Sequence, residues 1–129
     1  MNSKTNEIDN LKKTLVLGAS TKPERFAYKA ISLLRKKGIE VVAIGNRSGE
    51  VADVEIVTEK IHFENIHTVT LYLNAANQQQ YIDFILSLEP KRIIFNPGTE
   101  NIKLKSLAKE LGIEVVENCT LVMLNSGIY

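Results

Sequence analysis

Short apolar runs alternate along the chain with stretches whose apolar residues recur at helical spacing. Lys13–Leu17 is a run bounded by Gly18, and Phe26, Ala27, Ala30, Ile31 and Leu34 then mark one face of a helix that Gly38 stops before the run Val41–Ile44. The rhythm repeats further on. Thr68–Leu73 predicts a strand, Asn77–Leu88 a helix with Tyr81, Ile82, Ile85 and Leu88 on one face, and Arg92–Phe95 a strand. A last full helix carries Leu104, Leu107, Ala108 and Leu111. Two segments echo each other, Leu34–Val42 and Ala108–Val116: each ends a helix on a glycine suited to the left-handed conformation and passes directly into a buried strand.

Strands that are apolar on both faces and alternate with helices predict a parallel sheet covered on both sides. The expected fold class is α/β, a three-layer parallel sheet of about five strands in the order 3-2-1-4-5. Gly49–Val57 alternates weakly and predicts one short extra strand before a loop through His62 and Phe63. Thr120–Leu124 predicts a helical turn that caps the core, and Gln78-Gln79-Gln80 the exposed start of a helix. Met1–Asn10 is polar and patternless and reads as a frayed leader, with one domain from Leu11 to Tyr129.

Composition narrows the function classes. Sixteen Lys and Arg stand against 15 Asp and Glu, interspersed, for a formal net charge of +1, so no global field grips nucleic acid or an anionic membrane. A charged ligand must be recognised locally. The apolar runs are far shorter than the roughly 20 residues of a bilayer span, and a cytoplasmic protein is expected. The single cysteine, Cys119, excludes an internal disulfide framework. It lies just past a strand and reads as a small core residue.

In an open parallel sheet, ligands bind beyond the carboxyl ends of the strands, where the strand order reverses. After the first strand comes Gly18-Ala19-Ser20-Thr21-Lys22-Pro23-Glu24-Arg25-Phe26, whose backbone N–H groups and following helix N-terminus suit a phosphate, with Lys22 and Arg25 as mobile positive charge. Ser20 and Pro23 stand where a dinucleotide fingerprint has its second and third glycines. The second strand ends in Ile44-Gly45-Asn46-Arg47, where an NAD site usually places an acid on the ribose. An amide and a cation there favour a ligand with an additional ribose phosphate, a property that NADP and coenzyme A share. Leu73-Asn74-Ala75-Ala76-Asn77 is small and polar enough for close passage of a cofactor, and Asn96-Pro97-Gly98 is a strong turn signal before a helix that Thr99 or Asn101 can cap.

Chemistry is harder to find. Ser20 sits on a strand-to-helix turn as a nucleophile elbow would, but Lys22 replaces the second glycine and no histidine is near it in the sequence. His62 and His67 are poorly spaced for two ligands on one helix face, and both read as loop or surface residues. Arg35-Lys36-Lys37 falls in the last turn of a helix, where cations complement the dipole, and reads as a solvated helix end. No catalytic residue and no metal site is assigned.

From Lys12 to Tyr129 the chain resembles the small stand-alone CoA-binding domain family, related to the CoA-binding part of succinyl-CoA synthetase alpha subunits. The residues that carry the resemblance are Gly18-Ala19-Ser20 with Lys22-Pro23 and Arg25, the strand end Val42-Ala43-Ile44-Gly45-Asn46, Phe95-Asn96-Pro97-Gly98-Thr99-Glu100, and Cys119 after Val115-Val116. The resemblance implies a Rossmann-like sheet that binds CoA or an acyl-CoA, with the ADP portion over the first and second strand ends. The expected cofactor-binding residues are Gly18, Ala19, Ser20, Lys22, Arg25, Phe26, Gly45, Asn46, Arg47, Leu73, Asn74, Asn96, Pro97 and Gly98. The expected role is non-catalytic, as a sensor, a carrier or the partner of a separate enzyme. The alternatives are an NADP-binding oxidoreductase-like domain and an interaction module with a vestigial cleft.

Overall fold

The computed structural model describes residues 12–129, so the leader expected at Met1–Asn10, and Leu11 with it, lies outside the described residues. The described residues begin with β1 (Thr14–Ala19), α1 (Phe26–Lys36) and β2 (Val41–Gly45). A hairpin of β3 (Gly49–Val51) and β4 (Val54–Val57) follows, and then β5 (Thr68–Leu71). The second half holds α2 (Ala75–Gln78), a 3-10 turn (Gln79–Tyr81), α3 (Ile82–Ser87), β6 (Arg92–Phe95), α4 (Ile102–Glu110), β7 (Glu114–Glu117) and α5 (Thr120–Asn125).

The strands form one sheet in the order β3-β4-β2-β1-β5-β6-β7, parallel throughout except for β3, which runs antiparallel to β4. The α/β class and the helices on both faces are as the sequence predicts. The strand count is not: the sheet is mixed and seven-stranded rather than a parallel sheet of about five in the order 3-2-1-4-5. Two things enlarge it. Gly49–Val57 folds as two strands around a turn in which Ala52 takes φ 54°, and β7 adds an edge beyond β6. The inner five strands, β4-β2-β1-β5-β6, carry the expected reversal, because the chain moves outward from β1 through β2 and then returns to pair β5 on the other side of β1.

β1 and β2 divide their apolar side chains between the two faces, which is why those runs read as continuously apolar, whereas β5 sets Val69 and Leu71 on one face and buries Thr68 and Thr70 on the other. Leu15, Leu17, Val69, Leu71, Ile93 and Phe95 pack with Ile82, Ile85, Leu104 and Ala108 of α3 and α4. On the opposite face, Val16, Val41, Ala43 and Ile56 pack with Ala27, Ile31 and Leu34 of α1 and with Leu124 of α5. Gly38 and Gly112 take φ of 81° and 78°, the left-handed conformation expected where each helix turns into its strand.

The predicted helix Asn77–Leu88 is broken into α2, the 3-10 turn and α3, and Gln78 is fully buried rather than part of an exposed start. Its amide is the reason. Nε2 donates to Leu73 O at 2.7 Å and to Thr99 O at 2.8 Å, while Oε1 accepts from Asn101 Nδ2 at 2.8 Å. Arg35 likewise does more than end a helix in solvent: Nε and Nη2 donate to Asp53 Oδ1 and Oδ2 at 2.8 and 2.9 Å, a two-point pair that holds the carboxyl below its ordinary range. At the amino edge of the sheet, Arg92 is buried with its guanidinium 4.4 Å from the ring centre of Tyr129, whose hydroxyl bonds Thr14 Oγ1 at 2.5 Å.

Candidate functional site

Two glycines let backbones meet where the strand order reverses. Gly18, at φ 97°, is the irregular residue of β1 between Leu17 and Ala19, and a Cβ there would stand 2.9 Å from the carbonyl carbon of Tyr72. Gly45 lies still tighter, since a Cβ would be 2.4 Å from Ala19 O. A side chain at either position would push β1 away from a neighbouring strand end. With both absent, the carboxyl ends of β1, β2 and β5 close up and leave a cleft of about 520 Å³ above them.

Four loops wall this cleft: the β1–α1 loop, the end of β2, the β5–α2 loop and the β6–α4 loop. Of the residues singled out from the sequence, Gly18, Ala19, Ser20, Lys22, Arg25, Phe26, Asn46, Arg47, Leu73, Asn74, Pro97 and Gly98 line it. Gly45 and Asn96 do not. Gly45 lies beneath Ala19 and serves the close approach of strands. Asn96 turns inward: Nδ2 donates to Thr70 Oγ1 at 2.7 Å and to Leu71 O at 2.8 Å, and Oδ1 accepts from Thr120 N at 2.8 Å. Its carbonyl accepts from the N–H and the hydroxyl of Thr99 at 2.9 and 2.7 Å, which closes the turn after β6.

Thr21, Ala27, Tyr72 and Thr99 also line the cleft and were not singled out from the sequence. Thr21 and Ala27 were within reach, because they flank the expected phosphate-facing residues. Tyr72 gave no signal, as an aromatic residue ending a buried strand reads as core. Its hydroxyl is buried without a hydrogen-bond partner, and that loss of solvent pushes the phenol well above its ordinary range, so it stays neutral. Gln78, though outside the cleft, ties the β5–α2 loop at Leu73 to the β6–α4 loop at Thr99 and so sets the separation of two walls.

The charged side chains that line the cleft share one sign. Lys22, Arg25 and Arg47 line it, none of them belongs to an ion pair among the described residues, and no acidic residue lines it. The N-terminus of α1 points the same way. Arg25 is its N-cap, with extended backbone and no side-chain cap, and the first turn holds no acid. The N–H groups of that turn therefore keep their partial positive charge for an external acceptor. By contrast, α2 and α4 are capped, by Asn74 accepting from Asn77 N at 2.9 Å and Asn101 from Leu104 N at 3.2 Å. Glu100 accepts from Gly98 N–H at the rim, at 3.1 Å. The arrangement favours an anionic group near the start of α1.

Ser20 Oγ accepts from the N–H of Lys22 at 3.1 Å, and no histidine, aspartate or glutamate lines the cleft to take a proton from it. His62 is exposed, and His67 is half-buried with Nδ1 2.8 Å from Thr68 Oγ1. Cys119 is half-buried at the N-cap of α5 rather than packed in the core. Among the described residues no group of three or more His, Cys, Asp or Glu gathers as a metal site, and no helix is long and apolar enough to cross a membrane.

Comparison with known proteins places this geometry. A crystal structure of an uncharacterized protein is 48% identical, superposes with a TM-score of 0.89, and pairs 92% of this chain with 98% of that one. A Thermus thermophilus protein at 22% identity (TM-score 0.79, all of both chains) and a hypothetical protein from Pyrococcus horikoshii OT3 at 23% (TM-score 0.80, 99% of this chain and 92% of that one) share the fold. No curated protein matches the chain. The family model described as a CoA binding domain matches residues 12–125, which include every residue of the sheet and the cleft, and the chain belongs to that family.

Proposed function

We propose that this protein binds coenzyme A or an acyl-CoA in the cleft above β1 and β5 and performs no reaction on it. The observation that carries the reading is the uncapped N-terminus of α1 facing a cleft whose charged lining residues, Lys22, Arg25 and Arg47, are all cationic. In this reading the first-turn N–H groups of α1, Ser20, Lys22 and Arg25 hold the pyrophosphate, and Asn46 and Arg47 meet the ribose phosphate. Leu73, Asn74, Pro97 and Gly98 flank the pantetheine arm, and Phe26 lends the rim an exposed aromatic face. Gly18, Ala19 and Gly45 form the floor and its support. Chemistry is left to another protein: no histidine, aspartate, glutamate or cysteine lines the cleft, and the Tyr72 phenol is buried and held neutral. The chain would then act as a sensor, a carrier or a partner that delivers the thioester to a separate enzyme.

Arg47 in place of the usual ribose-binding acid suits NADP as well, so the deciding experiment compares ligands. Calorimetric titration with CoA, acetyl-CoA, NADP and NAD is expected to rank CoA or acetyl-CoA first and NAD last. Tighter binding of NADP overturns the reading in favour of an oxidoreductase-like domain. No heat with any of the four leaves a vestigial cleft on an interaction module.

A further inference from the structure

The loop that brings Ser20, Lys22 and Arg25 to the cleft has little of its own to hold it. Its hydrogen bonds are local, from Lys22 N to Ser20 Oγ at 3.1 Å and from Arg25 N to Lys22 O at 3.0 Å, and Thr21 through Phe26 are all exposed. A segment so exposed samples several conformations unless a neighbour limits it. The neighbour here is β3. A Cβ on Gly49 would stand 2.5 Å from Thr21 Cγ2 and 3.8 Å from Thr21 Cβ, so a side chain at position 49 fits only if the threonine methyl moves. Gly49 is not among the glycines with positive φ, so its backbone does not require glycine, and the Thr21 side chain is the one neighbour that a side chain there would meet.

The hairpin is well placed to act as a strut. Its turn is fixed to the far end of α1 by the two-point Arg35–Asp53 pair, Val51 and Val54 are buried in the core that α1 shares, and β4 is hydrogen-bonded into the sheet beside β2. Held along this length, it presents Gly49 to the loop just before the helix begins. Thr21 lines the main cleft, whereas Gly49 lines a second hollow of about 530 Å³, so their contact also stands between the two.

We propose that Gly49 is a positioning residue: the β3–β4 hairpin buttresses Thr21 through it and thereby fixes where Lys22 and Arg25 stand over the cleft. The inference rests on the CoA reading for its functional consequence but not for its geometry. A methyl at position 49 displaces Thr21 and with it the cationic loop, while removing the threonine methyl makes room again.

The test is a double-mutant cycle on Gly49→Ala and Thr21→Ala, titrated with CoA. Gly49→Ala alone is expected to weaken binding about tenfold, with an unchanged urea midpoint. Added to Thr21→Ala, it is expected to change affinity by less than about threefold, because the clashing methyl has gone. Wild-type affinity in Gly49→Ala overturns the proposal. So does the same loss with and without the Thr21 methyl, which would mean that position 49 acts by another route. Should the wild type bind no CoA, the CoA reading fails separately, and backbone amide resonances of the four proteins decide the positioning claim. Gly49→Ala must shift the signals of residues 20–25, and the double variant must return them to those of Thr21→Ala; unmoved loop signals refute it.

Discussion

Asn96 offers a sharp test because its side chain has every polar atom committed inside the protein. Truncation to alanine removes the acceptor of Thr120 N–H and a donor to Leu71 O, while Thr70 Oγ1 keeps its 2.7 Å bond to Thr120 Oγ1. A buried N–H left without a partner costs about 1–3 kcal/mol, and loss of one bond to a strand-end carbonyl costs about 1 kcal/mol. With a small cavity added, Asn96→Ala should lose about 3 kcal/mol, or about 10 °C in Tm. Urea denaturation followed by circular dichroism measures it, and a loss under about 1 kcal/mol refutes the reasoning. Asn96→Asp sharpens the test: it keeps the acceptor for Thr120 but sets an oxygen against Leu71 O. Burial raises the pKa of such a carboxyl in the folded state, so the variant should be more stable at pH 5 than at pH 8, with the difference lost as pH rises through the raised value. In the folded Asn96→Ala protein CoA affinity should stay within about threefold of wild type, as a side chain outside the cleft requires. Lost binding with intact stability would return Asn96 to the site.

Three further outcomes are expected. Arg25→Ala should weaken CoA binding by about 1.5–3 kcal/mol, the range for a hydrogen bond to a charged group, with little change in stability; calorimetry and urea midpoints read the two separately. Arg47→Ala should lose most of the preference for CoA over dephospho-CoA at fixed ionic strength and leave dephospho-CoA affinity nearly constant, whereas equal losses for both ligands place Arg47 elsewhere in the site. The pKa of His67 is lowered by burial, with Arg92, Lys12 and Lys91 adding to the effect against Glu114, so the folded state binds its proton less readily than the unfolded chain. Its contribution is unimpaired above the usual value of 6.5 and is lost as pH falls below it, so urea midpoints should drop less between pH 7 and 5 in His67→Gln than in wild type, and parallel drops would exonerate the residue.

Much of the architecture was legible because local signals and tertiary structure agree. Runs such as Leu15–Leu17 and Ile93–Phe95 are apolar on successive residues because both faces of the strand are covered, and that alone implies a parallel sheet between helix layers. Once the sheet is parallel, the loops after β1, β2, β5 and β6 must gather at one edge. Most of the cleft-lining residues were therefore found by position, without knowledge of a single contact, although Tyr72 among others was missed. Gly38 and Gly112 were equally plain, since a helix that turns straight into a strand needs the left-handed residue at that point.

What escaped depends on partners distant in the chain. Asn96 reads as a turn residue whichever way its amide points, and the inward direction is settled by Thr70, Leu71 and Thr120 arriving around it. Gln78 sits in a polar triplet that suggests solvent, yet Leu73, Thr99 and Asn101 bring it matching polar groups and make burial favourable. Gly49–Val57 carries enough alternation for a strand, but β4 exists because β2 offers an open edge, and β3 because β4 does, around an Ala52-Asp53 turn whose left-handed position is held by an alanine rather than a glycine. Gly49 itself looks like an ordinary turn glycine until Thr21 is seen against it. Periodicity reports how a segment meets its own neighbours and which faces it must cover, whereas hydrogen-bond direction and steric fit belong to pairs of segments and form only when the chain has folded.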